Sequence, residues 1–255
     1  SLSYSDQFKF GLGISSTLTF SRNINEIKEM VENYHTDLMD EPINIPEVLK
    51  DGGRVILKEG GSIHDIYANT FLKKDHLGYV EVKSDGTFGM EKGEPVYLGK
   101  TSPDFNLGWS NMLTYKGFGL GFQINGRFGG VVTSSTEALL DRYGVLLKGQ
   151  GLVDAKSYYQ MTGTGNYETS GYYVYSATNI RLQELTFSYT MPNKWFGNVL
   201  KDVTVSFIAN NPWMLYCEAP FDPELTPSTS TYGQGNDYFM QPSVRSFGFG
   251  IKFKL

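Results

Sequence analysis

The chain has 255 residues, 40% of them hydrophobic and 15% aromatic, with a formal net charge of -5; that length holds one large or two small domains. An acidic balance without clustered Lys and Arg argues against nucleic acid, whose binding depends on basic groups that release counterions from phosphates. No run approaches the roughly 18 apolar residues of a membrane helix. Strands can still cross a bilayer, since each needs only about 9 to 11 residues and half of them face lipid.

Residues 8–20 form the first predicted strand. Phe8, Phe10, Leu12, Ile14, Leu18 and Phe20 fall on one face, and Lys9, Gly11, Gly13, Ser15, Thr17 and Thr19 on the other. Leu2-Ser3-Tyr4 reads as the end of an earlier strand, so a fragment of a longer protein is expected. Residues 24–31 suit a helical turn, and residues 40–53, with Pro42 and Pro46, read as loop. A second strand is expected over residues 62–72, although Ile63, Tyr67 and Phe71 share a face there with Asp65 and Asn69. Residues 73–103 suggest an elaborated loop with short β-like pieces. The third strand covers residues 106–116, and a tight turn at Lys116-Gly117 leads to the fourth. There Phe118, Leu120, Phe122, Ile124 and Phe128 oppose Gly119, Gly121, Gln123, Asn125 and Arg127, so the pair is a predicted hairpin.

Residues 129–176 read as irregular apart from a short helix, opened by a capping box of Ser134 with Glu137 before Ala138, Leu139 and Leu140. The fifth strand, residues 178–190, changes phase: Ile180 and Leu182 lie on one register, Leu185, Phe187 and Tyr189 on the other. A one-residue bulge near Gln183 or Glu184 would restore a single apolar face. Pro192 ends that strand, and a turn carrying Trp195 and Phe196 leads to the sixth, with Val203, Val205, Phe207 and Ala209 against Thr204, Ser206 and Asn210. Residues 211–242 read as a loop. In the seventh strand Phe247, Phe249, Ile251, Phe253 and Leu255 alternate with Ser246, Gly248, Gly250, Lys252 and Lys254.

Strands with large apolar groups on one side and small or hydrated groups on the other predict an all-β fold, an antiparallel transmembrane β-barrel with hydrocarbon outside and a polar lumen inside. Long connections follow the second, fourth and sixth strands, and short or moderate ones the third and fifth. Only the connection after the first strand breaks the alternation, being long where a short turn is due. Outer-membrane barrels have short periplasmic turns and long outer loops, which would place three decorated loops outside the cell.

Several pieces keep a specific order and spacing. They are Ser102-Pro103-Asp104-Phe105-Asn106-Leu107-Gly108 before Leu113-Thr114-Tyr115-Lys116-Gly117-Phe118; Gly126-Arg127-Phe128-Gly129-Gly130; and Thr136-Glu137-Ala138-Leu139-Leu140-Asp141-Arg142-Tyr143-Gly144. There follow Ile180-Arg181-Leu182-Gln183-Glu184-Leu185-Thr186-Phe187 with Met191-Pro192, Asn210-Asn211-Pro212-Trp213, Phe221-Asp222-Pro223-Glu224, and Pro242-Ser243-Val244-Arg245-Ser246-Phe247-Gly248-Phe249-Gly250. Together they resemble the C-terminal barrel portion of the SusC/RagA family, TonB-dependent transporters of the Bacteroidota outer membrane.

The resemblance implies a barrel of about 22 strands filled by an N-terminal plug, with residues 1–255 supplying about the last seven strands; the plug and the TonB-contacting box are not in this sequence. It implies active uptake of a bulky nutrient, an oligosaccharide or an oligopeptide, across the cell outer membrane, with no enzymatic chemistry and no cofactor. Its implied partners are TonB, outer-membrane lipid and a SusD-like surface lipoprotein acting as a lid, in a dimer of transporter-lid units. Such barrels usually end in Phe and this chain ends in Leu255, but Gly250, Phe253 and Leu255 suit the glycine-hydrophobic pattern read by the barrel-assembly machinery. Two other readings remain: a passive porin or barrel enzyme of the outer membrane, and a soluble carbohydrate-binding β-sandwich whose phenylalanines would pack against a second layer.

Candidate chemistry is sparse. Cys217 is alone, which excludes an intrachain disulfide and a cysteine metal cluster, and His35, His64 and His76 lack ligand spacing. Gly117, Gly119 and Gly121 lie on one strand face with no helix to follow, unlike a phosphate loop. Pairing Asp222 with Glu224 or Asp237 as a hydrolytic dyad is arbitrary, because such carboxylates must sit at a defined separation across a substrate. Aromatic residues of the long loops are the candidate substrate contacts: Trp213, Tyr216, Tyr232, Tyr238 and Phe239 in the last, and Tyr172 and Tyr173, with Tyr158, Tyr159, Tyr167 and Tyr175, in the one before. Aromatic faces can cover sugar C–H surfaces or peptide side chains while hydroxyls bond polar groups. The plainer reading of each is loop packing, an interfacial girdle or contact with the lid. Gln123, Asn125 and Arg127 face the predicted lumen, where the plug is the expected partner of Arg127.

Overall fold

The computed structural model describes residues 1–31, 47–50, 55–79, 81–84, 90–143, 145, 171–196, 200–225 and 234–254. In chain order the strands are β1 (Leu2–Gln7), β2 (Leu12–Ser21), β3 (Glu47–Lys50), β4 (Val55–Lys58), β5 (Asp65–Leu72), β6 (Met90–Lys100), β7 (Phe105–Tyr115), β8 (Phe118–Phe128), β9 (Val131–Ser134), β10 (Val174–Ser176), β11 (Asn179–Thr190), β12 (Lys201–Cys217), β13 (Asn236–Asp237) and β14 (Ser246–Lys254). One α-helix, α1 (Ser135–Arg142), lies among the described residues. A seven-stranded antiparallel sheet in the order β1-β2-β7-β8-β11-β12-β14 forms a wall, while β3-β4-β5-β6 and β10-β9-β13 form two smaller sheets.

Register keeps the two faces of the wall apart. Phe249 pairs with Phe207, Phe207 with Phe187, Phe187 with Leu120, Leu120 with Leu113 and Leu113 with Ile14, one apolar row across six strands. One residue further along, the row Gly250, Ser206, Ser188, Gly119, Thr114, Gly13 and Gln7 crosses all seven strands without an apolar side chain. A slip of one residue in any strand would exchange these faces, so the pattern fixes the register. The apolar side is open: Phe249 is 83% exposed, Phe247 62% and Phe20 60%, and no second layer of described residues packs on them. Buried hydrophobic residues such as Ile66, Ala68, Val132, Ala138 and Tyr173 lie in the long connections instead. This distribution is the reverse of a soluble sandwich, whose inner faces interdigitate.

Three predicted features hold closely. The hairpin turn joins β7 to β8 with Tyr115 opposite Phe118, and both Lys116 (φ 48) and Gly117 (φ 89) have the left-handed backbone of a two-residue primed turn. A β-carbon on Gly117 would lie 2.7 Å from the Thr190 carbonyl oxygen. The bulge in β11 lies between Leu182 and Glu184, leaving Gln183 as the extra residue against β8, while against β12 the pairing jumps from Trp213 to Asn210 and the extra residue lies in β12. Ser134 caps α1, its hydroxyl accepting from the Glu137 amide at 3.0 Å.

Other expectations are corrected. Residues 8–11 are a turn rather than strand, closed by the Phe8 amide donating to the Leu12 carbonyl at 2.8 Å, and Gly11 has φ +91. The wall strand before it is β1. Residues 62–72 do contain a strand, β5, but it belongs to the four-stranded sheet, with Ile66, Tyr67 and Ala68 all buried in succession. Covering on both faces is why its sequence shows no polar-apolar alternation. Exchanging β5 for β1 removes the exception in loop length: the turns after β1, β7 and β11 are short, and residues 22–104, 129–178 and 218–245 make the long connections. Residues 24–31 form no helix, and Ile27 exchanges backbone hydrogen bonds with Gly60 and Gly61. Within the expected loops, Glu47–Lys50 and Met90–Lys100 are strands, and β12 continues seven residues beyond Asn210 to Cys217.

Candidate functional site

The three long connections leave the same end of the wall and interlock into a cap. β9 pairs antiparallel with β10 of its own connection and parallel with β13 of the last one. The Thr133 amide donates to the Gly235 carbonyl at 2.8 Å, and Val132, Ala177 and Ala219 form a small core with Tyr175, Cys217 and Phe221 around it. The first connection joins through Gly99, which abuts Val131 so closely that a β-carbon would stand 2.9 Å from it, and through Thr101, whose carbonyl accepts from Arg127 Nη2 at 2.5 Å. Gly171 sits against Phe71, Leu98 and Ala68 of that connection.

Two polar clusters organise this end of the molecule, the first holding the cap to the wall and the second holding two of the connections to each other. In the first, Arg181 of β11 is 5% exposed. Its Nη2 lies 2.8 Å from Asp222 Oδ1 and 3.3 Å from Glu224 Oε2, its Nη1 donates to Ser243 Oγ at 3.2 Å, and its Nε donates to Asn179 Oδ1 at 3.4 Å. Ser243 Oγ also donates to Asp222 Oδ2, and the Glu224 amide donates to Asp222 Oδ1 at 3.1 Å. Burial pushes the Asp222 carboxyl up, but the bonds from Ser243 and Arg181 outweigh it and hold the group below its ordinary value. In the second cluster Ser134 Oγ donates to Asp237 Oδ2 at 2.9 Å, Ser135 Oγ to Asn236 Oδ1 at 2.9 Å, and the Tyr175 hydroxyl to Glu137 Oε2. Burial raises the Asp141 carboxyl there, partly opposed by the hydroxyl of Tyr173.

These partners answer the question of a hydrolytic dyad. Asp222 and Asp237 belong to different clusters, each already engaged within the chain. No group of three or more His, Cys, Asp or Glu among the described residues is placed to hold a metal ion.

The sequence-predicted contacts separate into several environments. Trp213 and Tyr216 are on strand β12 rather than in a loop, paired with Leu182 and Ile180 of the apolar register, and the Tyr216 hydroxyl donates to Glu218 at 2.5 Å. Tyr173 is 4% exposed with its hydroxyl on Asp141, so it packs the cap; its neighbour Tyr172 is half-buried. Tyr238 and Phe239 remain open at the cap surface, 51% and 56% exposed, their rings edge-on at 5.4 Å. Phe239 has φ 50, and its amide donates to Thr136 Oγ1 at 2.6 Å, a left-handed backbone held by the neighbouring connection. Tyr232 and Leu255 lie outside the described residues, as do Tyr158, Tyr159, Tyr167 and His35. Gly250 and Phe253 take opposite faces of β14, Gly250 beside Ser206 and Phe253 half exposed.

Gln123, Asn125 and Arg127 lie on the polar face beneath the cap. Gln123 Nε2 donates to Asn125 Oδ1 at 3.2 Å, and Thr19, Ser21 and Asn106 join them around an open trough of about 370 Å³. Arg127 Nη2 finds a carbonyl of this same chain, while its Nε is buried without a hydrogen bond. Sequence reasoning missed the Arg181-Asp222 pair, although both residues fall inside pieces that carried the resemblance; spacing along the chain does not show that residues 41 apart meet.

No protein-family model matches the chain. A TonB-dependent receptor P3 from Formosa agariphila is 21% identical over 94% of this chain and 26% of its own length. Among solved structures, the RagAB peptide transporter superposes with a TM-score of 0.67 at 17% identity, covering 98% of this chain and 28% of the other. The RagAB peptide importer in its closed-closed and open-open states gives TM-scores of 0.66 and 0.63. These relatives are a receptor and a transporter, not enzymes. The chain spans about a quarter of their length, and over that quarter it is similar in sequence to a TonB-dependent receptor and in fold to RagAB, as the likeness to the SusC/RagA transporters foretold.

Proposed function

We propose that residues 1–255 are the C-terminal portion of a plugged barrel of about 22 strands that imports a bulky nutrient across the bacterial outer membrane, energised through TonB. The observation that carries this reading is the open phenylalanine face of the wall, backed by an uninterrupted polar row on its other side. A lipid-facing exterior with a hydrated interior is what such a surface pair suits. The cap then stands at the outer end, where the long connections belong, and a SusD-like lipoprotein closes over it, in a dimer of transporter-lid units.

Substrate meets the cap and the trough below it. Oligopeptides are the first class to test, because the RagAB proteins of like fold are a peptide transporter, and oligosaccharides the second. Exposed Tyr238 and Phe239 supply ring faces, and Gln123 and Asn125 supply amide donors and acceptors. Gly250, Phe253 and Leu255 serve the assembly machinery.

Expression of the complete gene tests the reading. The protein is expected in the outer-membrane fraction, released only by detergent, and uptake of a labelled oligopeptide is expected to stop when the proton gradient is collapsed. Recovery in the soluble fraction would end it, and uptake that survives loss of the gradient would favour a passive porin.

A further inference from the structure

At the end of the wall away from the cap, each short turn carries a lysine next to an aromatic residue in the chain. Between β1 and β2, Lys9 stands in the chain between Phe8 and Phe10, whose rings stack on each other at 5.5 Å, with Phe10 63% exposed. Between β7 and β8, the Lys116 ammonium stands 5.0 Å from the ring centre of Tyr115, a residue of the apolar register, so this side chain folds onto the phenylalanine side. Between β11 and β12, Lys194 precedes the exposed Trp195. Lys201, Lys252 and Lys254 lie at the same end. Among the described residues its acids are Asp6 and Asp202, and Asp202 is held by Lys254 at 2.8 Å. The whole chain carries a net charge of -5, so this end is a basic zone on an acidic protein.

Aromatic rings settle where hydrocarbon meets headgroups, and a lysine stem can lie along apolar surface while its ammonium reaches headgroup depth. The two recur together in the three short turns at one end of the wall, a placement that in a bilayer would bring the ammonium groups near lipid phosphates. A zwitterionic headgroup already carries an amine against its phosphate; an anionic headgroup leaves that charge open to the protein. We propose that the turn end of the wall is a binding belt for anionic phospholipid, with Lys9, Lys116 and Lys194 as its phosphate contacts. This rests on the reading that the wall spans a membrane. Lys252 is on the polar register opposite Thr204, and Lys254 is engaged by Asp202, so both are excluded from the belt.

The complete transporter is reconstituted in vesicles of phosphatidylethanolamine containing phosphatidylglycerol, and its association with spin-labelled phosphatidylglycerol is compared with that of spin-labelled phosphatidylethanolamine. A preference for the anionic lipid on the order of threefold is expected, weakened by salt. It disappears when Lys9, Lys116 and Lys194 are all changed to Gln and persists when Lys252 and Lys254 are. Thermal unfolding in detergent checks that both variants fold, and if the triple variant does not, the three single variants each lose part of the preference. Equal association of the two lipids with the unaltered protein, or a preference that survives the loss of the turn lysines, overturns the proposal while leaving the membrane reading intact. A protein that does not enter vesicles at all overturns both.

Discussion

In the wall, large apolar side chains stand exposed in rows and small polar ones crowd together; the cap, although it leaves Tyr238 and Phe239 open, builds a small buried apolar core. Phe249 and Ile251 of β14 stand more than two-thirds exposed, whereas Val132, Ala138 and Ala177 of the cap are sealed and Arg181 meets Asp222 out of water. One chain thus follows two solvents. The core of the cap obeys the rule of water-soluble proteins, and the wall suits the proposal that its outer side faces hydrocarbon.

Breaking the cap should have the largest effect. Arg181→Ala leaves the Asp222 carboxylate buried without its cation, a loss of about 3 to 5 kcal/mol. Amide exchange should accelerate in residues 218–225 and around Asn179, while β7 and β8 keep their protection. The same pair predicts the pH response of the cap. Asp222 is held below its ordinary value, so its contribution is complete above about pH 4 and is lost as pH falls through the lower folded value. Opening that begins between pH 5 and 7 would contradict this account.

The wall should fail differently. Phe207, packed among Phe247 and Phe249 of β14, sits on the apolar face, and Phe207→Arg should cost about 2 to 4 kcal/mol of folding in lipid if it lies near the midplane. Ser206→Arg, one residue away on the other face, should disturb the crowded interior but spare insertion into the bilayer. Urea titration in vesicles compares them, and equal effects would erase the distinction between faces. Smaller still is Ser134→Ala, which removes the α1 cap and the bond to Asp237, with about 1 kcal/mol expected from the cap; it should show as local opening of β9 and β13. Phe239→Ala should leave melting nearly unchanged and weaken ligand binding if the exposed ring pair meets substrate.

The same contrast decides what could be read in the sequence. A strand that separates lipid from water shows its period of two, so β8 was placed at both ends and the bulge at Gln183 followed from one change of phase. That strength also misled. Phe8 and Phe10 keep the phase of Leu12 and Ile14, so the alternation ran through a turn that only Gly11 marks, and β1 went unseen as a full strand. The cap was harder because its strands are covered on both faces or pair across connections. β5 lost its alternation that way, and β9 meets β13 about a hundred residues away. Trp213 and Tyr216 were assigned to a loop because Asn211, with φ 49, and Pro212 look like a strand end; the sheet instead absorbs them in irregular pairing and continues to Cys217.

The central claim is that the phenylalanine side of the wall meets acyl chains. With Cys217 replaced by Ser in the complete transporter, nitroxide labels on single cysteines placed in turn at positions 246 to 251 would be exposed in vesicles to oxygen, which concentrates in hydrocarbon, and to a water-soluble nickel chelate. Positions 247, 249 and 251 are expected to be open to oxygen, and positions 246, 248 and 250 to the chelate or to neither. Chelate access at Phe249 and Ile251, or loss of the two-residue alternation, would contradict it.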